Sequence, residues 1–122
     1  MSESKPKDDL RIYCVVRIDI NMPLGKLIAQ TGHGFMGALV GCKDEDLKAR
    51  YLGAAFTKIA LKGKNLNALE RAKRECDELG ITTALITDSG RTVFNEPTVT
   101  CLGIGPVTYD QLPKYVQKMH LL

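Results

Sequence analysis

No stretch of this sequence is apolar for long enough to cross a membrane. A membrane-spanning helix requires roughly 20 predominantly apolar residues, and charged side chains interrupt the apolar runs of this 122-residue chain before that length. The first ten residues, MSESKPKDDL, also lack the apolar segment of a secretion signal. We therefore predict that the chain has no membrane partner and that residues 1–10 form a short solvated tail.

The cysteines lack the close spacing of a metal site. Cys14, Cys42, Cys76 and Cys101 are 28, 34 and 25 positions apart, with no CxxC and no neighbouring Cys/His pair. Most of them fall in apolar runs, where a free cysteine behaves as a small buried hydrophobe. We predict reduced core thiols, no bound metal, and a reducing, cytoplasmic location.

Several familiar catalytic motifs are also missing. The chain has no GxSxG nucleophile elbow, no HExxH metal motif, no P-loop and no GxGxxG. These absences disfavour covalent, metal-assisted and nucleotide-cofactor chemistry. If the chain is a hydrolase, direct attack by a water that a carboxylate positions fits its residues better.

The overall composition is that of one ordinary globular domain. The chain is 44% hydrophobic and 25% charged, and 122 residues leave no room for two full cores. Its net charge of +3 permits an anionic partner but does not require one.

The periodicity of apolar residues predicts an α/β fold. Buried or alternating strands fit residues 11–18, 57–62, 82–87 and 98–104, the last ended by Gly105-Pro106, and helices fit residues 26–41, 43–53, 66–79 and 108–118. We predict a single three-layer α/β/α domain with a mixed four-stranded sheet over residues 11–122, the last two strands pairing antiparallel. Ligands of such sheets bind at the carboxyl ends of the strands, which here are followed by loops 19–26 and 88–97.

Two polar groups stand at these loops, and each has a purely structural interpretation as well. Asp88-Ser89-Gly90-Arg91-Thr92 offers a carboxylate and a cation to a ligand, but Asp-Ser-Gly is also ordinary turn chemistry. Lys26, Gln30 and His33 share one stripe of the first helix, opposite a predicted apolar face of Ile28, Phe35 and Leu39. That stripe would also suit a solvated surface.

A third group lies on the fourth predicted strand. Thr98 and Thr100 alternate with Val99 and Cys101, which places both hydroxyls on one face of the strand. They would orient water beside Asp88, or they reflect only the strand propensity of threonine.

Four motifs in order resemble the type 2 (archaeal and eukaryotic) peptidyl-tRNA hydrolase family. They are GKxxAQxxH (residues 25–33), DSGRT (residues 88–92), TxT (residues 98–100) and IGP (residues 104–106). The resemblance covers residues 11–122. It implies an α/β/α fold, peptidyl-tRNA as substrate, no cofactor and a homodimer. It assigns catalysis to Lys26, Asp88, Thr92 and Thr100, and substrate binding to Gln30, His33, Arg91 and Thr98.

The chain departs from the family pattern at Met22-Pro23-Leu24 and over residues 93–97, where Val93 replaces a common glutamine. Two alternatives to the hydrolase therefore stay open. The chain is a catalytically silent relative that binds tRNA or a protein partner, or it hydrolyses another ester or amide attached to a nucleotide.

Overall fold

A computed structural model describes residues 9–122, so residues 1–8 of the predicted tail lie outside it. The strands are β1 (Arg11–Arg17), β2 (Lys58–Gly63), β3 (Thr83–Asp88) and β4 (Thr98–Val107). The helices are α1 (Leu24–Gly41), α2 (Glu45–Leu52), α3 (Leu66–Glu78) and α4 (Lys114–Gln117), and a short 3₁₀ turn (Tyr109–Gln111) precedes α4.

The sheet is mixed, with the strand order β2-β1-β4-β3. Strand β1 pairs parallel with β2 and antiparallel with β4, and β3 pairs antiparallel with β4. The carboxyl ends of β1, β2 and β3 therefore lie at the same end of the sheet. The prediction of a mixed four-stranded sheet in an α/β domain is confirmed.

Helices cover both faces of the sheet. On one face, α3 and α4 pack on the larger core, which includes Val15, Leu69 and Leu102. The Asn65 side chain starts α3 by accepting a hydrogen bond from the amide of Ala68 at 3.0 Å. On the other face, α1 and α2 enclose smaller clusters around Ile12, Tyr51, Cys14 and Cys101.

Two predicted boundaries are wrong. Strand β4 does not end at Gly105-Pro106 but continues to Val107, because an irregularity in its pairing with β1 between Arg11 and Tyr13 accommodates the proline, which lacks an amide. A single last helix over residues 108–118 does not form either. Pro113 separates the 3₁₀ turn from α4, since proline disfavours helical backbone at the preceding residue.

The predicted orientation of α1 is also wrong. Its buried residues are Gln30, Gly34 and Ala38, whereas Ile28 and Met36 are each 61% exposed. Small residues explain this reversal, because they let the helix backbone approach the sheet closely. A Cβ atom at Gly34 would lie 2.7 Å from the Cys14 sulfur. The polar stripe therefore faces inward at Gln30.

A β-bulge changes the direction of one site residue. Ile86 pairs with Cys101 and Thr87 with Val99, so Thr100 is an extra residue in β4. Thr100 and Cys101 both hydrogen-bond to Gln30 of α1. The prediction that Thr100 and Cys101 lie on opposite faces of the strand is therefore wrong.

Candidate active site

An ion pair joins the start of α1 to the end of β3. The ammonium Nζ of Lys26 lies 2.6 Å from Oδ1 of Asp88 and 2.8 Å from the hydroxyl of Thr92. Lys26 is in the first turn of α1, and Asp88 is the last residue of β3. The parallel directions of β1 and β3 bring these segments to the same end of the sheet, although the ion-paired residues are 62 positions apart in the chain.

The two oxygens of the Asp88 carboxylate have separate partners. Oδ1 accepts from Lys26 and, at 3.4 Å, from Nε2 of Gln30, while Oδ2 accepts from the amide of Gly90 at 2.9 Å. The turn interpretation of this loop and the site interpretation therefore both hold. Gly90 has φ of 86°, and a Cβ atom there would collide with the backbone of Glu96, so the turn requires glycine.

These donors fix the charge of Asp88. The hydrogen bond from Lys26 is the largest cause that lowers the pKa of Asp88 from its ordinary value, followed by the amide of Gly90. The charge on His33 lowers it further, and burial opposes the shift. Asp88 is 8% exposed, so it is largely enclosed by the protein. Its lowered pKa keeps it ionised at neutral pH.

A buried relay holds Gln30 in place. The hydroxyl of Thr100, which is 0% exposed, donates to Oε1 of Gln30 at 2.5 Å. The network thereby assigns Nε2 of Gln30 to the side of Asp88. The Cys101 thiol donates to the backbone oxygen of Gln30 at 3.1 Å. Hydrogen bonds thus link Thr100 to Asp88 through Gln30.

The remaining predicted residues lie at the periphery. His33 is exposed on α1, close enough for its charge to influence Asp88. Arg91 is exposed, and no side-chain hydrogen bond or ion pair involving it occurs within residues 9–122. The hydroxyl of Thr98 donates to the backbone oxygen of Glu96 at 2.9 Å instead of joining the network. The structure therefore brings together five of the eight predicted residues.

The described part of the chain offers neither a metal cluster nor a membrane span. No group of three or more His, Cys, Asp or Glu side chains in residues 9–122 is placed to hold a metal ion. Across the same residues, no helix combines the length and hydropathy that crossing a bilayer requires. The polar groups of the site are thus a carboxylate, a cation, an amide and hydroxyls.

One contributor was missed from the sequence, namely the thiol of Cys101. The Gly90 amide agrees with the turn interpretation of this loop, in which Asp88 bonds its own backbone. The thiol left no signal in the sequence, since it faces Gln30 next to an unpredicted bulge.

The comparisons with known proteins agree with this geometry. The family described as "Peptidyl-tRNA hydrolase PTH2" matches residues 10–122. The chain belongs to the peptidyl-tRNA hydrolase PTH2 family. A protein of Metallosphaera sedula named "Peptidyl-tRNA hydrolase" is 32% identical over 117 residues, which are 93% of this chain and 100% of that protein.

Other PTH2-like relatives come from further lineages. A Thermococcus onnurineus protein of the same name is 32% identical over 112 residues, covering 88% of this chain and 93% of that protein. A Drosophila melanogaster protein named "Probable peptidyl-tRNA hydrolase 2" is 30% identical over 117 residues, covering 94% of this chain and 63% of that protein. The family resemblance drawn from the four motifs is confirmed.

Proposed function

We propose that this chain hydrolyses the ester bond that joins a peptide, or an N-blocked amino acid, to tRNA, and so recycles peptidyl-tRNA. Membership of the PTH2 family and relatives named for this activity support the proposal. The observation that carries it in this chain is the 2.6 Å contact between Lys26 and Asp88, which unites a cation and a carboxylate from distant segments.

In the proposed mechanism, Asp88 orients a water molecule for attack on the ester carbonyl. The lowered pKa of Asp88 makes it a weak base, so its role is to align the water rather than to hold its proton. The water oxygen bonds to the carbonyl carbon, and the bond to the ribose oxygen then breaks. One water proton ends on that ribose oxygen, and the other is released when the new carboxyl group ionises.

Lys26 stabilises the negative charge that develops on the carbonyl oxygen. Its ammonium has three donor hydrogens, and the contacts to Asp88 and Thr92 use two of them. The third is available to the oxyanion. Thr92 is exposed beside Lys26 and orients the ammonium. Gln30 and the buried Thr100 act as positioning residues that hold Asp88.

We propose that cations at the carboxyl ends of the strands contact the tRNA backbone. Lys62 and Lys64 are exposed at the carboxyl end of β2, and Arg91 is exposed after β3. Strands β2 and β3 are three strand spacings apart, or about 14 Å. A polyanion that crosses the carboxyl ends of the strands would reach the two lysines as well as Arg91, and its binding should weaken as the salt concentration rises.

The test is release of N-acetylated amino acid from tRNA by wild type and by Asp88→Asn. We expect turnover to fall on the order of 100-fold, as for removal of one preorganised electrostatic group. Glu75→Gln is the matched control, because it also removes a carboxylate from a 2.7 Å ion pair, with Arg71 on α3. It should turn over at the wild-type rate.

The possible outcomes separate the hydrolase from its alternatives. Full activity of Asp88→Asn would exclude the proposed mechanism. Tight tRNA binding by the wild type without any turnover would identify a silent relative instead.

We further propose that the chain works in the cytoplasm as a homodimer. The four cysteines are buried free thiols, as in a reducing compartment. The outer face of α1 exposes Ile28, Met36 and Val40, and the first two border an apolar cavity of about 380 Å³ between α1 and α2. Sedimentation of wild type and Met36→Glu tests the dimer, since a charge on this face should yield monomers.

A further inference from the structure

The two edges of the sheet differ in what covers them. Strand β2 lies at one edge, where its backbone pairs with the last residues of the chain: the Lys62 amide donates to His120 at 2.8 Å, and the Leu122 amide to Ala60 at 3.0 Å. Strand β3 lies at the other edge and pairs only with β4. Within residues 9–122, no backbone group bonds to the outer side of β3.

Strand β3 also lacks the usual protection of an edge. Exposed edge strands normally carry charges or proline to prevent pairing with other chains. Residues 83–87 read Thr-Ala-Leu-Ile-Thr and contain neither. The nearby Lys73 and Asp77 pair with each other and bond to the side-chain hydroxyl of Thr83, at the end of β3 away from Asp88. The outer amides and carbonyls of β3 are therefore open to an added strand.

Helix α1 packs closely on one face of β3 through glycines. It passes over β3 at Gly37, where a Cβ atom would lie 3.0 Å from the Cβ of Ala84. Gly41 follows one turn later, near Thr82. Neither residue projects a side chain toward the outer side of β3. The edge then runs without interruption to Asp88, the last residue of the strand.

We propose that the outer edge of β3 binds the peptide part of the substrate as an added strand, an inference that rests on the proposed function. The ester carbonyl is at the carboxyl end of the peptide and must reach Asp88. The peptide therefore runs parallel to β3, with its amino end toward Thr83. Six residues of β3 extend about 20 Å and would accompany about five residues of peptide.

Backbone pairing suits a substrate whose peptide varies in sequence. In strand addition, main-chain hydrogen bonds supply the affinity, and the added side chains contribute selectivity only where pockets receive them. An enzyme that accepts many peptides gains from contacts that every peptide can make. The same edge would contribute nothing to an N-blocked single amino acid, which has no chain to pair.

Substrates of increasing length test the proposal. We compare tRNA carrying acetyl-alanine with tRNA carrying acetylated di-, tri- and penta-alanine, using the wild-type protein. The KM should fall by about 100-fold from one residue to five while kcat stays constant, because two of the four added residues bond to β3, each contributing about 10-fold, and these hydrogen bonds act on binding alone.

A backbone modification then tests the pairing itself. Single N-methyl-alanines are placed at the second to fifth residues from the ester, one per substrate. In a parallel ladder, alternate residues bond to the neighbouring strand. N-methylation should therefore raise KM by about 10-fold at every second position and leave the intervening positions unchanged, which serve as matched controls.

The outcomes distinguish this inference from the proposed function. No hydrolysis of acetyl-alanyl-tRNA would remove the proposed function itself. Hydrolysis with the same KM at every length, or without the alternating N-methyl pattern, would overturn the strand addition alone. A KM for the penta-alanyl substrate that rises with protein concentration would assign the edge to a second copy of the chain and would equally overturn it.

Discussion

The seating of α1 on the sheet at Gly34 leads to a prediction with a control on the same helix. A Cβ atom at Gly34 would lie 2.7 Å from the sulfur of Cys14 and 3.3 Å from that of Cys101, both fully buried. At Gly32, two residues earlier on α1, an added Cβ atom would meet nothing within 4 Å. Alanine should therefore act differently at the two glycines.

The expected magnitudes follow from two terms. Alanine is favoured over glycine within a helix by up to about 1 kcal/mol, and this term is common to both sites. Gly32→Ala should therefore raise the free energy of unfolding by up to that amount. Gly34→Ala adds overpacking of a buried contact, which costs about 1–3 kcal/mol. The common term cancels, so Gly34→Ala should be about 1–3 kcal/mol less stable than Gly32→Ala.

Urea unfolding of the two variants, followed by circular dichroism, measures this difference. Gly34→Ala should also lower kcat, because displacement of α1 moves Lys26 and Gln30 relative to Asp88. Equal stabilisation by both alanines, with unchanged kcat, would show that α1 does not rest on the sheet at Gly34.

Three other predictions concern the relay, pH and a helix cap. Thr100→Val should lower the free energy of unfolding by about 1–3 kcal/mol and reduce kcat, because the oxygen of Gln30 loses its buried donor. Thr100→Ser keeps the hydroxyl and should retain most of the stability and most of the kcat. Equal losses in the two variants would argue against the relay. The pKa of Asp88 in the folded protein lies below its ordinary value of 3.8, so the carboxylate is still charged at pH 3.8. The stability that this charge contributes is lost only as the pH falls further, through the folded pKa. A profile of kcat/KM against pH should accordingly show no fall in activity from protonation of Asp88 above about pH 4. If a fall is seen, the residual activity of Asp88→Asn shows its origin, because a fall that persists in this variant belongs to another group. Asn65→Ala should cost about 0.5–2 kcal/mol in urea unfolding and leave kcat unchanged, because it removes only the cap of α3 that binds the Ala68 amide.

Local patterns predicted the elements and the sheet well. The first three strands and the first three helices lie within about two residues of the expected bounds, since their apolar periods and stop signals are local. The end of β4 was not predictable in this way. Whether Pro106 ends a strand depends on the pairing with β1 opposite, which is a long-range property.

The buried face of α1 could not be read from hydrophobicity. Its apolar residues, such as Ile28 and Met36, predicted one buried face, but close approach of backbones selected the face with Gly34 and Ala38. A periodic pattern ranks side chains by transfer from water, and it does not register how near a helix can come to a sheet. The glycines of α1, among them Gly34, lower its helix propensity, and that unfavourable contribution was the visible signal of close packing.

The membership of the site was predicted in outline but not in its connections. Lys26, Asp88 and Thr92 are joined by hydrogen bonds, as a shared pocket required. The indirect action of Thr100 depends on the bulge that pairs Thr87 with Val99, and bulges leave little trace in a single sequence.

The Lys26–Asp88 contact also makes turnover a reporter of folding. It closes a span of 62 residues, and β3 reaches its place only through β4, which itself docks on β1. Such long-range closures form late relative to local helices. During refolding, activity should therefore return after the helical signal, and it would mark molecules whose sheet is complete rather than those that have merely collapsed.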